Sequence, residues 1–91
     1  MDCIHLEIRG HVQGVGFRWF VVEQAKRLGL AGWVRNNRDG SVEIAAAGQR
    51  ETLTRLESAV RAGPRGARID EVRTLEAVAP ESLPEPFEIT R

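Results

Sequence analysis

The sequence predicts an α+β domain of the split-βαβ type, with two helices on one face of a mixed or antiparallel sheet. Three observations carry that expectation. Ile4, Leu6 and Ile8 alternate with His5, Glu7 and Arg9, the period of a half-buried strand. From Phe17 the spacing becomes helical, and a second helical stretch begins near residue 50. Between them, Asn37-Arg38-Asp39-Gly40 carries an Asp-Gly hairpin signal between two apolar runs.

The first strand is expected to end before Gly10, and residues Gly10 to Gly16 then form a turn. Phe17, Val21, Ala25 and Leu28 fall on one helical stripe, closed at Gly29 after Lys26 and Arg27. Leu30 to Asn36 and Ser41 to Ala47 read as the arms of the hairpin. Leu53, Leu56, Ala59 and Val60 give the second helix its apolar face, with Gln49 or Thr52 as its cap and Gly63-Pro64 as its stop. Arg68 to Glu76 reads as a strand in which Ile69 and Leu75 are out of step unless a bulge intervenes. Ala77 to Pro86 is a proline-rich loop, and Phe87 to Thr90 closes as a short strand. The order is βαββαβ plus a short terminal strand, the ferredoxin-like arrangement.

Bulk composition narrows the function. The 91 residues suit one domain, taken as 1–91, with 42% apolar and 29% charged residues and zero formal net charge. That balance gives no general pull toward nucleic acid or membrane. On the outer face expected for the sheet, strand one offers His5, Glu7 and Arg9 and strand three Ser41, Glu43 and Ala45, with no rings on which RNA bases could stack. Cys3 is the only cysteine, so no intrachain disulfide and no thiolate metal cluster is expected. Met1 to His5 does not open a secretory signal, and no apolar run approaches ~18 residues. A cytoplasmic location is therefore expected.

The chemistry concentrates at Gly10-His11-Val12-Gln13-Gly14-Val15-Gly16-Phe17-Arg18. Two glycines free to take φ > 0, just before a helix, let several N–H groups point at one anion. Arg18 adds a fixed, planar charge suited to phosphate or carboxylate oxygens. A tight strand-to-helix turn without a ligand is the plain alternative. A cation is mildly unfavourable in a first helical turn, by ~0.3–1 kcal/mol, which makes more sense of Arg18 if an anion sits there. The loop lacks G-x-G-x-x-G and G-K-[ST]. His5 reads as exposed on the polar face of its strand, and His11 as a marginal helper at the loop entrance. Trp33 and the Phe17/Phe20 pair read most simply as core, with Trp19 less so. Asn36 and Asn37 read as turn residues, although an amide could also orient a water at the anion site. No His, Cys and carboxylate cluster has metal-ligand spacing, so no metal and no cofactor is expected.

His11-Val12-Gln13-Gly14-Val15-Gly16-Phe17-Arg18, followed by Gly32-Trp33-Val34-Arg35-Asn36 and Asp39-Gly40-Ser41-Val42-Glu43, resembles the acylphosphatase family over nearly the whole chain. The resemblance implies hydrolysis of an acyl phosphate to a carboxylate and inorganic phosphate without metal. It assigns phosphate binding to the loop amides of Gln13, Gly14, Val15, Gly16, Phe17 and Arg18. It makes Arg18 the anion clamp and Asn36 the group that places the attacking water, with Ser41 supporting that asparagine. The implied partners are a small-molecule acyl phosphate and inorganic phosphate or a similar anion in the loop, with neither nucleic acid nor membrane. A monomer is expected. One departure stands out: the chain ends Phe87-Glu88-Ile89-Thr90-Arg91, without the tyrosine common in the family.

The chemistry is self-consistent. The leaving carboxylate has an ordinary pKa of about 4 and departs without a general acid. The transferring phosphoryl group spreads charge over its equatorial oxygens, so positioning and electrostatics do most of the catalysis. An amide is no base near neutral pH, so Asn36 aims the water and a phosphate oxygen of the substrate takes the proton. Two alternatives are an anion-sensing module without turnover and the acylphosphatase-like domain of larger carbamoyl-transfer maturation proteins. Intact Arg18 and Asn36 argue against the first. The compact length, the methionine start and the lack of downstream zinc-binding cysteines argue for a free-standing enzyme over the second.

Overall fold

Strand β1 (Asp2–His11), helix α1 (Phe17–Arg27) and strand β2 (Ala31–Asn36) form the first half of the computed structural model, which describes residues 1–91. Strand β3 (Val42–Gly48), helix α2 (Arg50–Ala62) and strand β4 (Arg68–Thr74) form the second. The two-residue strand β5 (Glu88–Ile89) completes a mixed sheet in the order β4-β1-β3-β2-β5, in which β2 and β5 are the only neighbours that pair in parallel. Both helices lie on one face, as the sequence predicts.

The alternation of β1 has the expected consequence. Ile4, Leu6 and Ile8 meet Val42, Ile44 and Ala46 of β3 and Val34 of β2 beneath Phe17, Val21 and Ala25 of α1 and Leu53, Leu56 and Val60 of α2. Burial of a branched side chain of this kind is worth about 1.5–3 kcal/mol, so this layer dominates stability. At the end of α1, Gly29 N–H donates to Lys26 C=O (3.1 Å) and Leu30 N–H to Ala25 C=O (3.0 Å), satisfying two carbonyls the helix leaves open.

Three expectations are corrected. Strand β1 does not stop before Gly10, because Gly10 and His11 pair with Ile69 and Arg68 of β4. A bulge permits this: Arg9 faces Glu71 and Gly10 faces Ile69, so Asp70 is the unpaired residue. The same extra residue brings Ile69 into step with Val72, and both pack on the core. Second, Trp33 is not core on the helix side. It lies on the opposite sheet face with Ala31, Ala45, Ala47 and Cys3, a face partly covered by Val78 and Leu83.

Third, His5 is not simply exposed. Its side chain keeps only 13% of its accessible surface, with Nε2 at 2.5 Å from Glu43 Oε2 and Nδ1 at 2.7 Å from Glu76 C=O. Arg35 bonds the other oxygen of Glu43 at 2.9 Å and lies 5.0 Å from the Trp33 ring centre. Burial pushes the Glu43 carboxyl up, but the bonds from His5 and Arg35 outweigh it and hold it below the usual range. His5 and Trp33 stack edge to face at 5.8 Å, so the rings on this surface are already engaged.

The C-terminal segment is anchored without a tyrosine. Phe87 is buried in the main core, and Thr90 N–H donates to Val34 C=O at 2.9 Å. Gly32 makes this possible: its φ is +143°, and a Cβ there would fall 2.8 Å from the Phe87 ring and 2.0 Å from Ala45 C=O. Within the Ala77–Pro86 loop, Pro80–Ser82 forms a single 3-10 turn.

Candidate active site

The topology brings two loops to one edge. Parallel strands β1 and β2 both end there, flanking β3, so the β1–α1 loop and the β2–β3 hairpin are neighbours. Gly14 (φ +78°) and Gly16 (φ +75°) are both left-handed, and a Cβ at either would touch no protein atom. The two glycines thus answer a backbone need and leave the loop open to a ligand. Gly16 is the residue that caps the start of α1, and Phe20 N–H closes the first turn on Gly16 C=O at 3.0 Å. The first turn of α1 holds no acidic residue, so the turn itself supplies no counter-charge to its positive dipole end and free N–H groups.

Arg18 projects from this turn. Neither acid that its spacing offers becomes its partner: Glu7 bonds Arg9 at 3.0 Å, and Glu23 lies 3.8 Å from Arg27. Together with Val12, Gly14, Gly16, Phe17, Trp19 and Asn36, Arg18 lines a cleft of about 170 Å³. Residues 18 and 36, which spacing alone gives no reason to pair, therefore meet. Strand parity explains it. Gly32, Val34 and Asn36 share the helix-facing side of β2, and Asn36 is the last of them, beneath the start of α1. Its Oδ1 is buried and receives no hydrogen bond from the protein. An unpaired buried carbonyl costs about 1–3 kcal/mol.

Gln13 and Ser41 act in ways the sequence did not disclose. The Gln13 amide donates to Asn37 C=O (2.8 Å) and to Ser41 C=O (2.9 Å), fastening the loop to the hairpin. Its side chain does not line the cleft. Ser41 is buried, but its hydroxyl does not reach Asn36. It donates to Asp39 Oδ1 at 2.6 Å and accepts from Asn37 Nδ2 at 3.0 Å. Ser41 thus shapes the turn that follows Asn36, because the carboxylate two residues earlier is the nearer acceptor. His11 is exposed, pairs with β4 and lies outside the cleft. No three His, Cys, Asp or Glu side chains come together as a metal-binding group.

Asp39 makes the hairpin pH-sensitive. The Ser41 hydroxyl and then the Ser41 N–H lower its pKa to about 2, against an opposing effect of burial, with Arg9 assisting at 2.9 Å. Because the folded value lies below the ordinary one of 3.8, this stabilisation is complete above about pH 4 and disappears as pH falls through about 2. Wild type should be more resistant to denaturant than Asp39→Asn by a constant margin from pH 7 to about 4. The margin should close near pH 2. A margin that stayed constant to pH 2 would refute the assignment.

Fold and cleft together define a ferredoxin-like domain whose strand-to-helix loop opens onto a cleft lined by Arg18 and Asn36. The acylphosphatase family model matches residues 4–89. An acylphosphatase of Koribacter versatilis is 51% identical over 82 residues, spanning 90% of this chain and 74% of that protein. The crystal structure of acylphosphatase from Bacillus subtilis superposes with a TM-score of 0.92 at 36% identity, covering both chains completely. HypF of T. kodakarensis matches this whole chain with 12% of its own length, at TM-score 0.84 and 30% identity. The chain belongs to the acylphosphatase family. It is a hydrolase of acyl phosphates.

Proposed function

We propose that the amides of residues 13–18 and the Arg18 guanidinium hold the phosphoryl group of the acyl phosphate, while Asn36 aims the attacking water. The observation that carries this reading is the convergence of the two left-handed glycines, Arg18 and Asn36 on one cleft. The unpaired Asn36 Oδ1 supports the second half of it, since a water donating there is held with its lone pair toward phosphorus. The water oxygen bonds to phosphorus as the phosphorus–acyl oxygen bond breaks. The carboxylate leaves with the electron pair, and a phosphate oxygen takes the water's proton. Loop amides and Arg18 stabilise the charge spread over the equatorial oxygens.

In this reading neither metal nor general acid is needed, because the leaving carboxylate is a weak base. Residues 1–91 act as one domain, supported by the single large core shared by both helices and the sheet. The protein acts as a monomer in the cytoplasm, and its one cysteine, a free thiol, suits a reducing compartment. No helix is long and apolar enough to cross a membrane. Phosphate release from acetyl phosphate, followed with and without a chelator, tests the mechanism. Equal rates are expected in both. A rate abolished by chelator and restored by a divalent cation would overturn the metal-free assignment.

A further inference from the structure

Trp19 is the exposed aromatic residue of this molecule. It keeps 72% of its surface accessible, and the other large exposed apolar side chain is the terminal Met1. The fold explains why position 19 points outward but not why it is tryptophan. With Phe17 and Val21 buried on the stripe facing the sheet, Trp19, midway between them, lies off that stripe, where any polar side chain would serve the helix. The indole stacks on no neighbour, since the ring pairs are His5–Trp33 and Phe17–Phe20, and Arg35 lies over Trp33.

Its place gives it a use. Trp19 lines the same cleft as Arg18 and Asn36, and it is the accessible apolar wall there, because Val12 and Phe17 are each only 1% exposed. The cleft is small and its polar groups converge on the phosphoryl group, so the acyl substituent must extend past them. Resting on the acylphosphatase reading, we propose that Trp19 is a specificity-determining residue. It stacks on the acyl group and favours acyl phosphates with a flat, aromatic acyl moiety over short aliphatic ones. A planar acyl face matches the indole in offset or edge-to-face contact, whereas an acetyl group offers one methyl.

The test compares kcat/KM for benzoyl phosphate and acetyl phosphate in wild type, Trp19→Ala and Trp19→Phe. The benzoyl-to-acetyl ratio is expected to fall about three- to tenfold in Trp19→Ala, mainly through KM for benzoyl phosphate. Trp19→Phe should retain most of the ratio, since a ring remains. A Trp19→Ala ratio equal to that of wild type overturns the proposal. So does a Trp19→Phe ratio as low as that of alanine. A wild type active on both substrates separates these outcomes from failure of the enzymatic reading, in which neither compound would be hydrolysed.

Discussion

Arg18→Ala is expected to lower kcat/KM for acetyl phosphate by about 10³–10⁵-fold, the scale of an arginine acting on a transferring phosphoryl group. That corresponds to about 4–7 kcal/mol of lost transition-state stabilisation. The size follows from what surrounds the side chain. Arg18 neutralises no carboxylate of the protein, because the nearby acids Glu7 and Glu23 are matched to Arg9 and Arg27. Its removal therefore leaves no unpaired internal charge, and the loss falls on the substrate. Arg18→Lys should recover little, since a point charge lacks the guanidinium fork that meets two equatorial oxygens at once. Thermal unfolding of both variants should stay close to wild type, which separates a catalytic loss from a folding loss. A lysine variant with near-native turnover would show that charge alone suffices.

Asn36→Ala is expected to lower kcat by about 10²-fold or more, the cost of a nucleophile no longer held in line. The inhibition constant for inorganic phosphate should move far less, because the amide at position 36 is assigned to the water and not to the anion. Opposite behaviour would refute that division: weakened phosphate inhibition with turnover intact would place Asn36 on the phosphate. The buried Oδ1 also predicts which form of damage to expect. Alanine removes a polar atom that the protein leaves unpaired, so no partner is orphaned and the fold should tolerate the change.

Much of the fold was legible because its alternation and turn chemistry agree. The Ile4, Leu6, Ile8 pattern, the Phe17 stripe and the Asp39-Gly40 turn each point to the element found there. What misled was context that no local pattern carries. Gly10 read as a turn because glycine usually breaks strands, but here it serves a bulge that lets β1 pair past Arg9. Trp33 read as core because tryptophan is bulky and apolar, although its parity with Arg35 places it on the outer face. His5 took its surroundings from residues far along the chain, Glu43 and Glu76.

The site was half legible. The loop and Arg18 announced an anion on local grounds, and the joint motif added Asn36. The same parity that places Trp33 on the outer face orients Asn36 toward the helices, since it lies two residues beyond Val34. The partners of Ser41 and Gln13 were not readable, because a buried hydroxyl or amide chooses among acceptors that only the folded hairpin presents.

The Gln13 amide has a thermodynamic consequence. It spans the carbonyls on either side of the hairpin turn, at 37 and 41, from a residue inside the glycine loop. The glycine loop that leads into Arg18 is thereby fastened to the hairpin that follows Asn36, although Arg18 and Asn36 stand 18 positions apart in the chain. The ordering entropy of a glycine-rich loop is thus incurred when the chain folds and not again at each encounter with substrate. The cleft is lined by the glycine loop, the first turn of α1 and the end of β2. Its geometry has to be ready before the ligand arrives, and this one side chain braces it there.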